Sequence, residues 1–278
     1  MSPELRLRII SALVLAVIAL GATWIGGVVF TAFAVAIAIL IFYEWTTITG
    51  FAPTDRLTLF GWVSLVVVLG QLFLDGARHG AVISLYLLVG FTIACAVFAL
   101  IRKQSFWLAG GLFYAGLSGI SLAALRDAYG LIAIVYIFAV VWGTDIMAYF
   151  TGRAIGGPKL APRISPGKTW SGAIGGTIAA VVFGSIVIWL ASESLTIGLV
   201  VFTILLSVGS QIGDLFESFI KRRFGVKDSS RLIPGHGGVM DRVDGLVVAC
   251  FIAFFGALVL SAAAGPLASA SGEVISGN

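Results

Sequence analysis

The chain has 278 residues, of which 59% are hydrophobic and only 11% charged, and its formal net charge is +4. Its mean hydropathy is +1.09. Soluble domains carry about a quarter charged residues, so this composition excludes a soluble globular domain, and nothing in it points to a nucleic-acid partner. Apolar runs of about 20 residues recur, each long enough to cross a ~30 Å hydrocarbon core as a helix, without the ten-residue alternation of an outer-membrane barrel. The fold class expected is an all-α polytopic membrane protein.

Uninterrupted apolar windows give nine spans: Leu5 to Thr23, Ile25 to Tyr43, Thr58 to Leu74, Ala81 to Ile101, Phe106 to Leu125, Leu131 to Thr151, Gly172 to Leu190, Leu195 to Phe216 and Val243 to Ala263. Glycine, proline or charge punctuates the breaks, as at Gly26-Gly27, Pro53, Asp75-Gly76, Arg102-Lys103 and Gly157-Pro158. The first window resembles a secretory signal, but a second apolar run follows almost at once, so a retained span is expected. Joining the first two windows would make a helix of roughly 58 Å, too long for one crossing. Cys95 and Cys250 sit in apolar runs without metal-ligand spacing.

Basic residues stay on the cytoplasmic side of short loops. With the N-terminus inside, only Arg78 and Arg126 of the 17 basic residues fall in outer loops. The sizeable polar segments, 152–171 and 217–242, are then both cytoplasmic. Residues 1–130 are expected to be a five-helix scaffold, and residues 131–278 a four-helix catalytic region.

Polar chemistry concentrates in that second half. Asp145 lies within the sixth span, roughly 9 Å from its cytoplasmic end on helical geometry. A carboxylate at depth is costly and faces a partner, a backbone group or a watery cavity. The next loop offers Lys159, Arg163 and Lys168 as cations and Ser165, Thr169 and Ser171 as hydroxyls just before a helix start, an arrangement suited to phosphate. Basic inner loops also follow from topology alone.

The eighth span ends with Asp214 and Glu217 three residues apart, and the ninth begins with Asp241 and Asp244 at the same spacing, so each pair shares a helix face. Acids from three spans thus reach one membrane depth. Hard divalent ions such as Mg²⁺ select clustered carboxylates, typically with substrate phosphate completing the shell, although an acid in a first turn can simply complement the helix dipole. Between these spans, Lys221, Arg222, Arg223, Lys227 and Arg231 suit phosphates or anionic headgroups. The turn Pro234-Gly235-His236-Gly237-Gly238 lets backbone approach a ligand closely.

The segment Ser218–Asp244 resembles the signature of the phosphatidate cytidylyltransferase family. Ser218, Ile220, Lys221, Arg222, Lys227, Asp228, Ser230, Ile233, Pro234, His236, Gly237, Gly238, Asp241, Arg242, Val243 and Asp244 fill its positions in order. Ser165–Gly176 resembles a second shared segment, with Gly167 where the family often has lysine. The resemblance implies CTP and phosphatidate as substrates, CDP-diacylglycerol and pyrophosphate as products, a Mg²⁺ requirement with a second metal allowed, and a homodimer in the cell inner membrane with its site facing the cytoplasm. Asp214, Asp241, Asp244 and Lys227 are the expected catalytic residues, and Asp214, Asp241, Asp244 and Asp145 the expected metal ligands. Ser165, Lys168, Thr169, Lys221, Arg222, Asp228, His236, Gly237, Gly238 and Arg242 are expected to bind substrate. The enzymatic rival is a CTP-dependent polyprenol or phytol kinase; a transporter would need acids nearer the midplane.

Overall fold

The computed structural model describes residues 3–74, 76–191 and 194–272. Asp75 and the Arg78 side chain, both used in the topology above, lie outside the described residues. The helices are α1 (Pro3–Ile25), α2 (Gly27–Ile48), α3 (Arg56–Leu74), α4 (Gly76–Ile101), α5 (Trp107–Ile155), α6 (Trp170–Leu190), α7 (Ile197–Arg223) and α8 (Met240–Gly272). All 8 are long and apolar enough to cross a membrane. Hydrocarbon offers no water to backbone N–H and C=O groups, so each apolar run closes its hydrogen bonds within itself.

The 49-residue α5 makes two crossings. Gly130 breaks it at φ 76° and ψ −167°, a conformation open essentially to glycine alone. Before the break, the Trp107 ring lies 5.2 Å from Phe224, just past the end of α7. After it, the Tyr136 hydroxyl lies 2.6 Å from Thr203 Oγ1 near the start of α7, and Thr144 Oγ1 lies 2.8 Å from Ser207 Oγ further along. The second arm therefore returns toward the end of α7 from which the first set out. Gly26, at φ 70° and ψ −159°, turns the same corner between α1 and α2. With α5 counted as two arms, the described residues form nine apolar helical segments, the number of apolar windows.

α5 is the centre of the bundle, packing against α2, α3, α4, α6, α7 and α8. Small residues make the close approaches, as membrane helices require in the absence of a solvent-driven force between them. Gly111 lies flat against Trp45, leaving no room for a Cβ. The Trp45 indole donates to the Trp107 carbonyl at 2.7 Å, and its ring lies 5.6 Å from Tyr114 and 6.3 Å from Phe216.

Two expected boundaries move. α7 continues past Phe216 to Arg223 because fully buried Ile220 extends its apolar face, and Lys221, Arg222 and Arg223 in the last turn complement the helix dipole. α8 begins at Met240 rather than Val243, so the second inner loop shortens to 224–239. The first inner loop is not irregular throughout: β1 (Lys159–Ala161) and β2 (Ser165–Thr169) pair antiparallel within it. This hairpin satisfies backbone groups outside the helices and carries Lys168 back toward the bundle.

Gly130→Ala is expected to cost about 1–3 kcal/mol through backbone strain, seen as a lower melting temperature in detergent. Gly21→Ala, at a helical position with nothing within 4 Å, should not lower it.

Candidate active site

One end of the bundle collects most of the polar side chains, and they fall into a cavity, a buried cluster and a second cavity. The first cavity has a volume of about 580 Å³ and is lined by Asp145 from α5, Asp214 from α7, and Lys159, Ser165, Lys168 and Thr169 from the hairpin. Lys168 Nζ reaches Asp214 Oδ2 at 2.5 Å. The Thr169 hydroxyl accepts from the Gly172 amide at 3.1 Å and so caps α6, which brings the N-terminus of that helix, with its partial positive charge, to the cavity rim. A polar ladder leads inward from here: Gln211 Nε2 donates to Thr177 Oγ1 at 3.1 Å, and the Ser207 hydroxyl lies 3.2 Å from the same oxygen.

The buried cluster ties α7, α8 and the loop between them. Lys221 Nζ lies 2.9 Å from Glu217 Oε2 and 2.5 Å from Asp241 Oδ1. The other carboxylate oxygen of Asp241 accepts from the Ser229 and Gly238 amides, each at 2.8 Å, and the Ser229 hydroxyl oxygen lies 2.8 Å away. Helices α7 and α8 meet closely here because Gly213 has no side chain to strike the Asp244 carbonyl. Asp214 interacts electrostatically with both Asp145 and Asp244, linking the cluster to the first cavity.

The second cavity, about 770 Å³, is lined by Arg8 from α1 and by Lys227, Asp228, Arg231, His236 and Arg242. His236 Nδ1 lies 2.7 Å from the Ser11 hydroxyl. Burial, followed by the positive charges of Arg242 and Arg8, holds the imidazole below its ordinary range, which favours the neutral ring as a hydrogen-bonding partner rather than a further cation beside Arg8, Lys227, Arg231 and Arg242.

The predicted residues are therefore distributed rather than pooled. Asp145, Ser165, Lys168, Thr169 and Asp214 share the first cavity, whereas Lys227, Asp228, His236, Gly237 and Arg242 share the second. Lys221, Asp241 and Asp244 belong to the cluster that ties α7 to α8. Gly238 is buried behind the cluster, and Arg222 is exposed at the end of α7, lining neither space.

A divalent cation fits this chemistry. Among the described residues, Lys168 pairs with Asp214 and Lys221 with Glu217 and Asp241, while Asp145 and Asp244 have no ion-pair partner within 4 Å, and Glu217 Oε1 is buried with no hydrogen-bond partner. Among the described residues no three His, Cys, Asp or Glu side chains converge to enclose an ion by themselves. Such an open arrangement suits Mg²⁺, which commonly takes one or two carboxylates, waters and substrate phosphate.

The model of the cytidylyltransferase family matches residues 6–260. The chain belongs to that family. Among curated proteins, a phosphatidate cytidylyltransferase of Brucella abortus is 52% identical over 261 residues, covering 92% of this chain and 94% of its own length. Those of Pseudomonas aeruginosa and Staphylococcus haemolyticus are 38% and 34% identical, over 93% and 86% of this chain and 98% and 94% of their own lengths. The family resemblance drawn from Ser218–Asp244 thus extends across the whole membrane domain, including the first half, where no motif announced it.

Sequence reasoning missed Arg8, Ser11 and Gln211 at the cavities, and Glu44 and Ser229 in the cluster. Glu44 sits inside α2 with no exposed surface, and both its oxygens are engaged by the 229–240 segment. Its signal was a single acid within an otherwise apolar span, which a membrane helix does not carry cheaply. Ser229 had no signal, since a serine between Asp228 and Ser230 reads as ordinary loop.

Lys221→Met is expected to leave Glu217 and Asp241 buried and uncompensated, at a cost of about 3–5 kcal/mol. Thermal unfolding in detergent should show the loss, and adding Glu217→Gln to the same chain should recover part of it.

Proposed function

We propose that the chain transfers the cytidylyl group of CTP to phosphatidate, releasing pyrophosphate and forming CDP-diacylglycerol. One observation carries this reading. The segment shared with phosphatidate cytidylyltransferases, Ser218–Asp244, is the segment whose side chains build the acid–lysine cluster between the two cavities. The sequence relatives named above agree with it over nearly the whole chain.

In this mechanism a phosphate oxygen of phosphatidate attacks the α-phosphorus of CTP. A new P–O bond forms as the bond to the β-phosphate bridging oxygen breaks, and pyrophosphate leaves with that electron pair. The phosphate monoester dianion is already nucleophilic, so positioning and charge neutralisation do more than proton removal. Lys159 and Lys168 reach into the first cavity from the hairpin, where they meet phosphate oxygens, and the Lys168–Asp214 pair opens to admit them. Lys227 and Arg242 meet phosphate from the second cavity. Carboxylates drawn from Asp214, Asp241, Asp244 and Asp145 would hold Mg²⁺, which would supply charge neutralisation when bound. A second ion and a homodimer belong to the same reading on family resemblance alone.

Sidedness is part of the proposal. Both cavities open at the end of the bundle that carries Arg8, Lys168, Lys227 and Arg242, while Arg126 lies at the opposite end, its Nε donating to the Thr23 carbonyl at 2.8 Å. The excess of basic residues at that end supports its facing the cytoplasm of a cell inner membrane, where CTP is available.

Purified protein in detergent, given phosphatidate, Mg²⁺ and CTP labelled on its α-phosphate, should place label in lipid and release pyrophosphate, and chelation should abolish both. Unlabelled lipid, with CDP released on a polyprenol or phytol instead, would make the chain a lipid kinase. In the same assay Asp244→Asn should remain folded with little turnover, whereas Arg126→Ala, far from either cavity, should turn over near the wild-type rate.

A further inference from the structure

Glu44 is a carboxylate buried in the middle of a polar crossroads that the mechanism above does not use. It has no exposed surface, and among the described residues no cation pairs with it. Its two oxygens divide the work evenly. Oε1 accepts from the Ser230 hydroxyl at 2.6 Å and the Val239 amide at 2.7 Å. Oε2 accepts from the Ser229 hydroxyl at 2.9 Å and the Met240 amide at 2.7 Å. Each oxygen therefore holds one hydroxyl and one backbone amide, and the two amides are those at the N-terminus of α8, where free N–H groups and the helix dipole favour an anion.

The clamp reaches the reacting end through the Met240 amide, next in the chain to Asp241, and through one hydroxyl. The Ser229 hydroxyl lies within hydrogen-bond distance of both Glu44 Oε2 and Asp241 Oδ2, and Asp241 in turn pairs with Lys221. The two glycines after His236 are explained by the same carboxylates. A Cβ on Gly238 would strike Ser229 Oγ and Glu44 Oε1, and one on Gly237 would come within 2.7 Å of Asp241 Oδ2. The turn packs directly on two carboxylates, one from α2 and one from α8.

We propose that Glu44 is a positioning residue for the transfer reaction: from α2 it clamps the 229–240 loop and the start of α8, and so fixes Asp241 and Lys221 relative to the substrates. This rests on the proposed function only in placing Asp241 and Lys221 at the reacting end. A hydrocarbon side chain at position 44 would insert more easily into the membrane but could hold none of the four donors.

Glu44→Gln tests the clamp sharply, because whichever way the amide is turned its NH₂ faces one of the two backbone N–H groups. Turnover number should fall roughly 10- to 100-fold, as misplacement of reacting groups by about 1 Å does, with KM for CTP within about twofold and the melting temperature little changed. Glu44→Asp should recover part of the rate. Hydrogen exchange followed by mass spectrometry, without substrates, should show faster exchange in 229–240 of the Gln variant. Unchanged turnover per folded molecule, or unchanged exchange in that segment, overturns the proposal. Should Glu44→Gln fail to fold, Ser229→Ala decides: it removes the hydroxyl that lies between Glu44 and Asp241 and leaves the other three donors to Glu44 in place, and an unaltered turnover number there overturns the proposal equally. Wild-type protein assayed alongside separates the two readings, since absence of labelled lipid from wild type defeats the function, whereas an active wild type matched by its variants defeats only the clamp.

Discussion

The Lys221–Asp241 ion pair is the contact on which the working end of this protein depends. It joins the last turn of α7 to the first turn of α8, at a depth where an unpaired charge of either sign is expensive. Because Glu217 shares the same lysine, three charges are held by one arrangement, and the remaining oxygen of Asp241 is free to organise the loop through Ser229 and Gly238. A loop of glycine, serine and proline has no core of its own. Here carboxylates take the place of a core, each satisfying several N–H and O–H groups at once.

The same logic explains why acids stand beside the cations. A cleft intended for CTP and a phosphate-bearing lipid must accept several negative charges, and doing so with lysines alone would leave a strongly positive hollow in the empty protein. Pairing Lys168 with Asp214 keeps the empty cavity near neutrality. Substrate phosphates can then exchange for the carboxylate, and a cation can take up the acid that is released. The polar ladder of Thr144, Ser207, Thr177 and Gln211 lets three helices meet at this depth without stranding a hydroxyl in hydrocarbon.

The division into scaffold and catalytic halves is less sharp than apolar patterning suggests. α1 contributes Arg8 and Ser11 to the second cavity, and α2 contributes Glu44 to the loop clamp. Trp45, the residue after Glu44, packs against the opening of α5 and against Phe216 of α7. One turn of α2 therefore joins the aromatic packing of the core to the polar packing of the site.

Much of this was written in the order of residues. Runs of apolar residues gave nine windows, because a backbone in hydrocarbon must bond to itself, while the glycine corner at Gly130 emerged from the structure. The acid pairs three residues apart and the glycine-rich turn specify the chemistry and the family, because their spacing alone puts them on shared faces. Three features lay beyond that reach. The hairpin of Lys159–Thr169 looked like plain loop, since three- and five-residue strands carry too little pattern. The separation of the phosphate-binding residues into two cavities depends on how α1, α5 and α7 are arranged, which no local spacing encodes. Glu44 is separated from Met240 by most of the chain, and its meaning comes from the four donors that the fold delivers to it. Local periodicity dictates elements and faces; which buried charge meets which donor is settled when the helices pack, because only then is each polar group's alternative to water chosen.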